Sequence, residues 1–134
     1  MSRSLLQTAN SSSQAVAENG VINPGSVVRR YGCNCRLNGT SQEISGTGYY
    51  KLTGAVTVSP AAAGTVTVAL YENGVQIPGA VSSGTAATAE DTVSLPLAGT
   101  VRQGCCCDSA SQITCVLLAG AGTVQNYSLR VEKD

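Results

Sequence analysis

The chain contains no histidine, phenylalanine or tryptophan, and only 12% of its 134 residues are charged, with a formal net charge of zero. The absence of histidine excludes a nucleophile activated by a Ser–His or Cys–His pair. Arg29-Arg30 is the one adjacent basic pair, so no basic run predicts a nucleic-acid partner. Glu90-Asp91 is the one adjacent carboxylate pair, and it fits a solvated turn better than acid–base catalysis. We therefore expect no enzymatic activity, no catalytic residues, no cofactor and no nucleic acid.

Long apolar runs are also missing. The stretch Met1 to Gln7 contains only the Leu5-Leu6 pair, whereas a signal-peptide core takes about 7 to 15 apolar residues. The run from Cys115 to Ala119 is far shorter than the about 20 residues that a transmembrane helix needs. We expect no membrane partner and synthesis in the cytoplasm, so that work outside the cell requires lysis or an assembled particle.

What the chain does contain favours a β-sandwich. It is 43% hydrophobic and its five aromatic residues are all tyrosine, so the core must be built from Val, Leu, Ile and Ala, which suits packed sheets. A length of 134 residues fits one domain. The small share of charged residues indicates a surface that a partner covers in part.

The stretch Thr65 to Ala80 is the clearest hairpin. Val66, Val68 and Leu70 alternate with polar or small residues, as a half-buried strand requires. Asn73-Gly74 follows, and both residue types tolerate the positive φ of a type I′ turn. Pro78 cannot donate to a ladder, which predicts a short, bulged or edge strand on the return.

Further strands follow the same reasoning. Gly48 to Ser59 alternates cleanly, Asp91 to Ala98 is interrupted by Pro96, and Gln112 to Leu118 is apolar on both faces towards its end. The last pattern predicts a strand buried by the core on one side and by another subunit, through Val116 and Leu118, on the other. About eight or nine strands with no helical period predict an all-β sandwich or barrel.

The first residues have a different composition. Residues 1–13 are rich in Ser, Asn, Thr and Gln around one Leu-Leu pair, too polar to pack alone. We predict a flexible N-terminal arm over residues 1–13 and a folded domain over residues 14–134. A frayed terminus is the simpler reading; the alternative is an attachment segment that anchors the domain to a larger particle through Leu5 and Leu6.

Six cysteines form the one cluster of chemically reactive residue types, and three states remain open for them. Their spacing, Cys-x-Cys and a triple run, differs from the paired Cys-x-x-Cys of structural zinc sites. Disulfides fit the even number and the position in loops, and buried free thiols fit equally, most clearly for inward-facing Cys115. We predict no metal. The candidates for disulfides are Cys33, Cys35, Cys105, Cys106 and Cys107.

The order of features resembles the tumour-necrosis-factor-like and complement-globular-head-like jelly rolls, particularly bacterial and phage members. The resemblance rests on Gly48-Tyr49-Tyr50, the hairpin of residues 65–80, Asp91 to Leu95 and Asn126 to Glu132. It implies a jelly-roll β-sandwich that forms a homotrimer displayed on a larger particle. The aromatic-rich trimer interior of many animal members is absent, so the resemblance leaves aliphatics and three tyrosines for the trimer contacts. The predicted contacts are Tyr49, Tyr50, Val116, Leu118 and Tyr127.

A second resemblance concerns context. The start Ser4 to Asn10, the run Arg29 to Cys35 and the run Gly104 to Ala110 resemble small proteins encoded in phages and prophages. Together the two resemblances imply a structural virion protein on the particle surface. The expected form is a trimeric capsid decoration or head-fibre module, attached through its arm to the major capsid protein or another virion protein. The alternative is a glycan- or receptor-binding head domain on a phage fibre, a bacterial surface or a spore filament.

Overall fold

The computed structural model describes residues 4–32, 34–88, 91–103 and 111–133. Within this part of the chain no helix is long and apolar enough to cross a membrane. The described residues form twelve strands: β1 Leu5–Asn10, β2 Gln14–Val16, β3 Gly20–Val21, β4 Ser26–Tyr31, β5 Cys35–Asn38, β6 Ser41–Ile44, β7 Gly48–Pro60, β8 Gly64–Glu72, β9 Val75–Ala86, β10 Val93–Gln103, β11 Ser111–Ala119 and β12 Gly122–Lys133.

The strands form two antiparallel sheets that pack face to face. The first sheet has the order β10-β7-β12-β1-β4, with β2 also paired to β12. The second sheet has the order β5-β6-β11-β8-β9, with β3 also paired to β11. Strands that are neighbours in a sheet are often far apart in sequence, as in a jelly roll. The predicted all-β jelly-roll sandwich is confirmed.

The predicted hairpin is the connection between β8 and β9. Asn73 and Gly74 have φ values of 51° and 84°, the positive values that a type I′ turn requires. The ladder between the two strands shifts register opposite Leu70, between Ala69 and Tyr71, and the extra residues of β9 include Pro78. Of the three outcomes predicted from Pro78, a short, bulged or edge strand, the structure shows a bulge on a strand at the edge of the second sheet, since a residue without an N–H leaves the ladder there.

The prediction of a flexible arm over residues 1–13 is wrong for residues 5–10, which form β1. This strand lies inside the first sheet and pairs with β12 on one side and β4 on the other. Leu6 is fully buried in the core, and Thr8 beside it is also buried, where its hydroxyl accepts a 2.9 Å hydrogen bond from the Gln42 amide of the second sheet. The polar side chains of this segment are therefore used by the fold.

Gly54 marks a close approach in the centre of the first sheet. It lies on β7 opposite Leu129 of β12 and Leu97 of β10. A Cβ atom built on Gly54 would lie 2.4 Å from the carbonyl oxygen of Ser128 and 3.0 Å from a methyl carbon of Leu129. The three strands can lie this close because the residue has no side chain.

Glu43 holds together three strands on the outer face of the second sheet. It is only 8% exposed. One carboxylate oxygen accepts from Arg36, with Nη2 at 2.6 Å and Nε at 2.8 Å; the other accepts from Gln112 at 2.8 Å and Asn38 at 3.1 Å. The bond from Gln112 is the largest influence that lowers the pKa of Glu43, followed by those from Arg36 and Asn38, and together they exceed the opposing effect of burial.

Because the pKa of Glu43 is lowered on folding, its carboxylate contributes stability above its ordinary pKa of 4.5, and that contribution is lost as the pH falls through the folded value. We expect Glu43→Gln to cost about 1–2 kcal/mol at neutral pH. The difference between wild type and variant should shrink below pH 4.5, in urea unfolding followed by circular dichroism at pH 7 and pH 3. A difference that is the same at both values would contradict this account.

Candidate interaction surface

The outward face of the first sheet is built on three long neighbouring strands, β7, β10 and β12. Because side chains alternate along each strand, Tyr50, Leu52 and Val56 of β7 point into the core while Tyr49, Lys51 and the residues that alternate with them point outward. The same alternation holds along β10 and β12, which flank β7. Three long neighbouring strands thus present one open face.

One half of this face has no charge. Ala55 of β7 lies directly between Ser128 of β12 and Pro96 of β10, and the next outward row joins Asn126, Thr57 and Ser94. We call this the neutral half. Small side chains on a flat sheet allow another surface to approach closely over a wide area. The neutral half consists of Ala9, Ala55, Thr57, Ser94, Pro96, Asn126 and Ser128.

The other half carries most of the basic side chains that the structure describes. One row runs through Arg29, Gln7 and Arg130 to Thr53 and Ala98. The next row crosses the same strands from Tyr31 of β4 to Thr100 of β10. Beyond that row, Arg102 packs over the ring of Tyr49, with its guanidinium carbon 6.0 Å from the ring centroid. We call this the charged half. It consists of Leu5, Gln7, Arg29, Tyr31, Tyr49, Lys51, Thr53, Ala98, Thr100, Arg102, Arg130 and Glu132.

A shallow groove borders the charged half. It has a volume of about 670 Å³ and lies between the outward face and the bulge of β9. Lys51 and Thr53 of β7 form one wall, Thr100 of β10 another, and Pro78-Gly79 closes the side. The bulge predicted from Pro78 thus shapes a concave site beside a lysine.

The second sheet carries a row of apolar side chains that is exposed at its two ends. Val21, Val116, Ala69 and Val81 lie in register across β3, β11, β8 and β9. Val21 and Val81 are exposed, Val116 is half-buried and Ala69 is fully buried. Leu118 is half-buried at the irregularity where β11 shifts register. Both residues predicted as trimer contacts on this strand therefore face away from the protomer's own core.

Tyr50 and Tyr127 are not available for the predicted trimer contacts. They are 0% and 1% exposed in the single chain, on the inward faces of β7 and β12. The rest of the core is largely aliphatic and accommodates these two rings. The hydroxyl of Tyr50 lies 2.9 Å from the carbonyl oxygens of Ser45 and Gly46, so its polar end is satisfied inside the domain. This part of the prediction is wrong. Tyr49, by contrast, is 56% exposed on the charged half.

The two predicted attachment residues, Leu5 and Leu6, also differ in burial. Leu5 is half-buried on the outward face, whereas Leu6 is inside the sandwich. A side chain that fills the core of its own domain cannot also enter a partner. The prediction of attachment through this pair is therefore wrong for Leu6.

Cys35 and Cys115 are buried free thiols. Burial raises the pKa of Cys35 to about 11, against the opposing charges of Arg30 and Lys133, and raises the pKa of Cys115 to about 12. Both thiols are therefore protonated and unreactive at neutral pH. The structure shows no bridge at Cys35. Cys33 and Cys105 to Cys107 lie outside the described residues, as does the loop predicted over 104–110. Within the described ranges no group of three or more residues could hold a metal.

The segregation of charge on the first sheet was missed by sequence reasoning, which found the basic residues dispersed. They are dispersed along the chain, at positions 29, 51, 102 and 130. Strand order alone brings them together, since β4, β12, β7 and β10 share one sheet. Each of these four basic residues is at an outward-facing position of its strand. That pattern could have revealed the cluster only if the pairing of the strands had been known.

No family model matches the sequence, and no curated protein matches it. Solved structures do match over nearly the whole chain. Murine APRIL is 16% identical with a TM-score of 0.75, covering 99% of this chain and 100% of that one. The globular domain of zebrafish complement 1qA is 6% identical with a TM-score of 0.71, covering 96% and 94%. The vertex protein P5 of PRD1 is 15% identical with a TM-score of 0.59, covering 97% and 96%. The chain therefore has a tumour-necrosis-factor-like jelly-roll fold.

Proposed function

We propose that the protein is a non-enzymatic structural protein of a phage virion, a homotrimeric capsid decoration or head-fibre module on the particle surface. The observation that carries the proposal is the neutral half of an open sheet face on a tumour-necrosis-factor-like jelly roll. The likeness in fold to the PRD1 vertex protein supports a virion context. Its partners are further copies of itself and the major capsid protein or another virion protein.

Self-association is supported by the neutral half of the first sheet. Its side chains are small and carry no charge, so little desolvation cost opposes contact with a second copy. A closed ring of copies hides this surface without forming fibres. Val116 keeps its place as a predicted contact because it is partly accessible in the single chain, whereas Tyr49 is exposed on the charged half.

Light scattering of the purified chain tests the assembly. We expect a mass of three chains of 13.5 kDa, in reducing and non-reducing buffer. Ala55→Arg places a long charged side chain in the centre of the neutral half and should give a folded monomer. Thr65→Arg, at an exposed position of the second sheet, adds the same charge and should leave the mass unchanged.

The virion role needs a separate measurement. Particles purified from an induced host should contain the protein, detected by mass spectrometry and placed at the particle surface by electron microscopy. A monomer in both buffers would overturn the trimer. Absence of the protein from purified particles would overturn the virion role whatever the mass.

A further inference from the structure

Four cations of the charged half form a bent line across the first sheet, which follows one row from Arg29 to Arg130 and then a diagonal through Lys51 to Arg102. Arg29 and Arg130 are both in register with Gln7 of β1, which separates them by two strand spacings, about 10 Å. Lys51 is the diagonal neighbour of Arg130, and Arg102 is the diagonal neighbour of Lys51, at steps of about 7–8 Å. Four strands thus contribute one cation each to a continuous line, which we call the cationic stripe.

The stripe has an excess of positive charge although the chain as a whole is neutral. Among its outward-facing neighbours in the described residues, Glu132 is the one carboxylate, and it is bonded to Arg130 at 2.7 Å. Arg29, Lys51 and Arg102 make no ion pair within the described part of the chain. Three exposed cations that have no ion pair among the described residues favour an anionic partner.

The surroundings of the stripe suit a carbohydrate. Gln7, Thr53 and Thr100 lie between the cations and supply an amide and two hydroxyls. Tyr31 and Tyr49, 66% and 56% exposed, present rings on the same face. The groove of about 670 Å³ beside Lys51 offers a concave site at one side of the line. Charged, hydrogen-bonding and aromatic groups are thus interleaved.

We propose that the cationic stripe binds a linear acidic polysaccharide, with carboxylate or sulfate groups on its cations and sugar rings against the tyrosines and the groove. Duplex nucleic acid fits less well, because each of its strands presents one phosphate charge per 3.4 Å of helix axis, a higher charge density than one cation in about 7–10 Å can match. The stripe lies wholly in the charged half, so the site needs one chain and does not rest on the trimer.

Binding of the full chain to heparin as a sulfated probe and to polygalacturonate as a carboxylate probe tests the site, by calorimetry at several salt concentrations. We expect binding that weakens as salt rises. Lys51→Gln/Arg102→Gln should weaken it about tenfold and lower the slope of log affinity against log salt by about two. Thr65→Glu/Gln76→Glu, on the exposed face of the second sheet, changes the net charge equally and should leave the affinity within about twofold.

Circular dichroism verifies that both double variants are folded, and light scattering of the same samples reports the oligomer separately. Equal losses in the two double variants would overturn the stripe in favour of net charge alone. Tighter binding of single-stranded DNA than of both polysaccharides would overturn the choice of a glycan, and no binding of either polysaccharide at low salt would overturn the site.

Discussion

Deleting residues 1–13 is expected to unfold the whole domain. The deletion removes β1, which lies between β12 and β4 and supplies Leu6 to the core and Thr8 to the contact between the sheets. Without it β12 loses a paired edge, and β4 loses the one strand partner that it has among the described residues. The truncated chain should show no cooperative unfolding transition in urea and no dispersed amide signals in a proton–nitrogen NMR spectrum.

Two point variants test the role of β1 without shortening the chain. Leu6→Ala leaves the strand in place and should cost about 2–5 kcal/mol through the cavity it creates. Leu5→Ala, at the half-buried outward neighbour, should cost less than about 1 kcal/mol. A truncated chain that folds with wild-type stability would contradict the placement of β1 and restore the arm.

Gly54→Val is expected to destabilise the domain by at least about 3 kcal/mol, near the upper end for overpacking. The new side chain would meet the backbone oxygen of Ser128 and the side chain of Leu129, which cannot both withdraw without separating β7 from β12. Chemical unfolding followed by circular dichroism measures the loss.

Thr53→Val is the matched control for Gly54→Val. Thr53 is the preceding residue of the same strand and is exposed on the outward face. Valine has almost the shape of threonine and an equal preference for strands, so the change should stay within about 0.5 kcal/mol. If the two variants lost stability equally, the loss in Gly54→Val could not be assigned to the contact with Ser128 and Leu129.

The hairpin and the long strands were predictable because their signals are local. Thr65 to Leu70 alternates in steps of two, and Asn73-Gly74 adopts the positive φ values that its residue types allow. Pro96 was expected at an edge or bulge, and β10 is an edge strand. Each of these inferences needed only a short window of sequence.

The first strand was not predictable in this way. Its two inward positions are Leu6 and Thr8, so the period-two pattern has one apolar member and one polar member. Thr8 is acceptable in the core because Gln42 donates a hydrogen bond to it, and Gln42 lies on the other sheet. The burial of residues 5–10 therefore depends on partners that are distant in the sequence.

The candidate surface was predictable only in part. Low charge pointed to a covered surface, and Tyr49, Val116 and Leu118 do face outward. The alternation along β7 puts Tyr50 on the same face as Leu52 and Val56, which are buried. That local pattern predicted the burial of Tyr50 correctly, whereas the expectation of an aromatic trimer contact did not. The cationic stripe combines positions 29 to 130 and follows from topology alone.

The pairing of β1 with β12 has a consequence for how the protein is made. The first strand of the domain must wait for its last strand to be made, and β12 also separates β1 from β7. A nascent chain that still lacks β12 therefore cannot complete the first sheet, and contacts so distant in sequence form slowly even when both strands are present. The order of synthesis thus delays the native fold until β12 has left the ribosome.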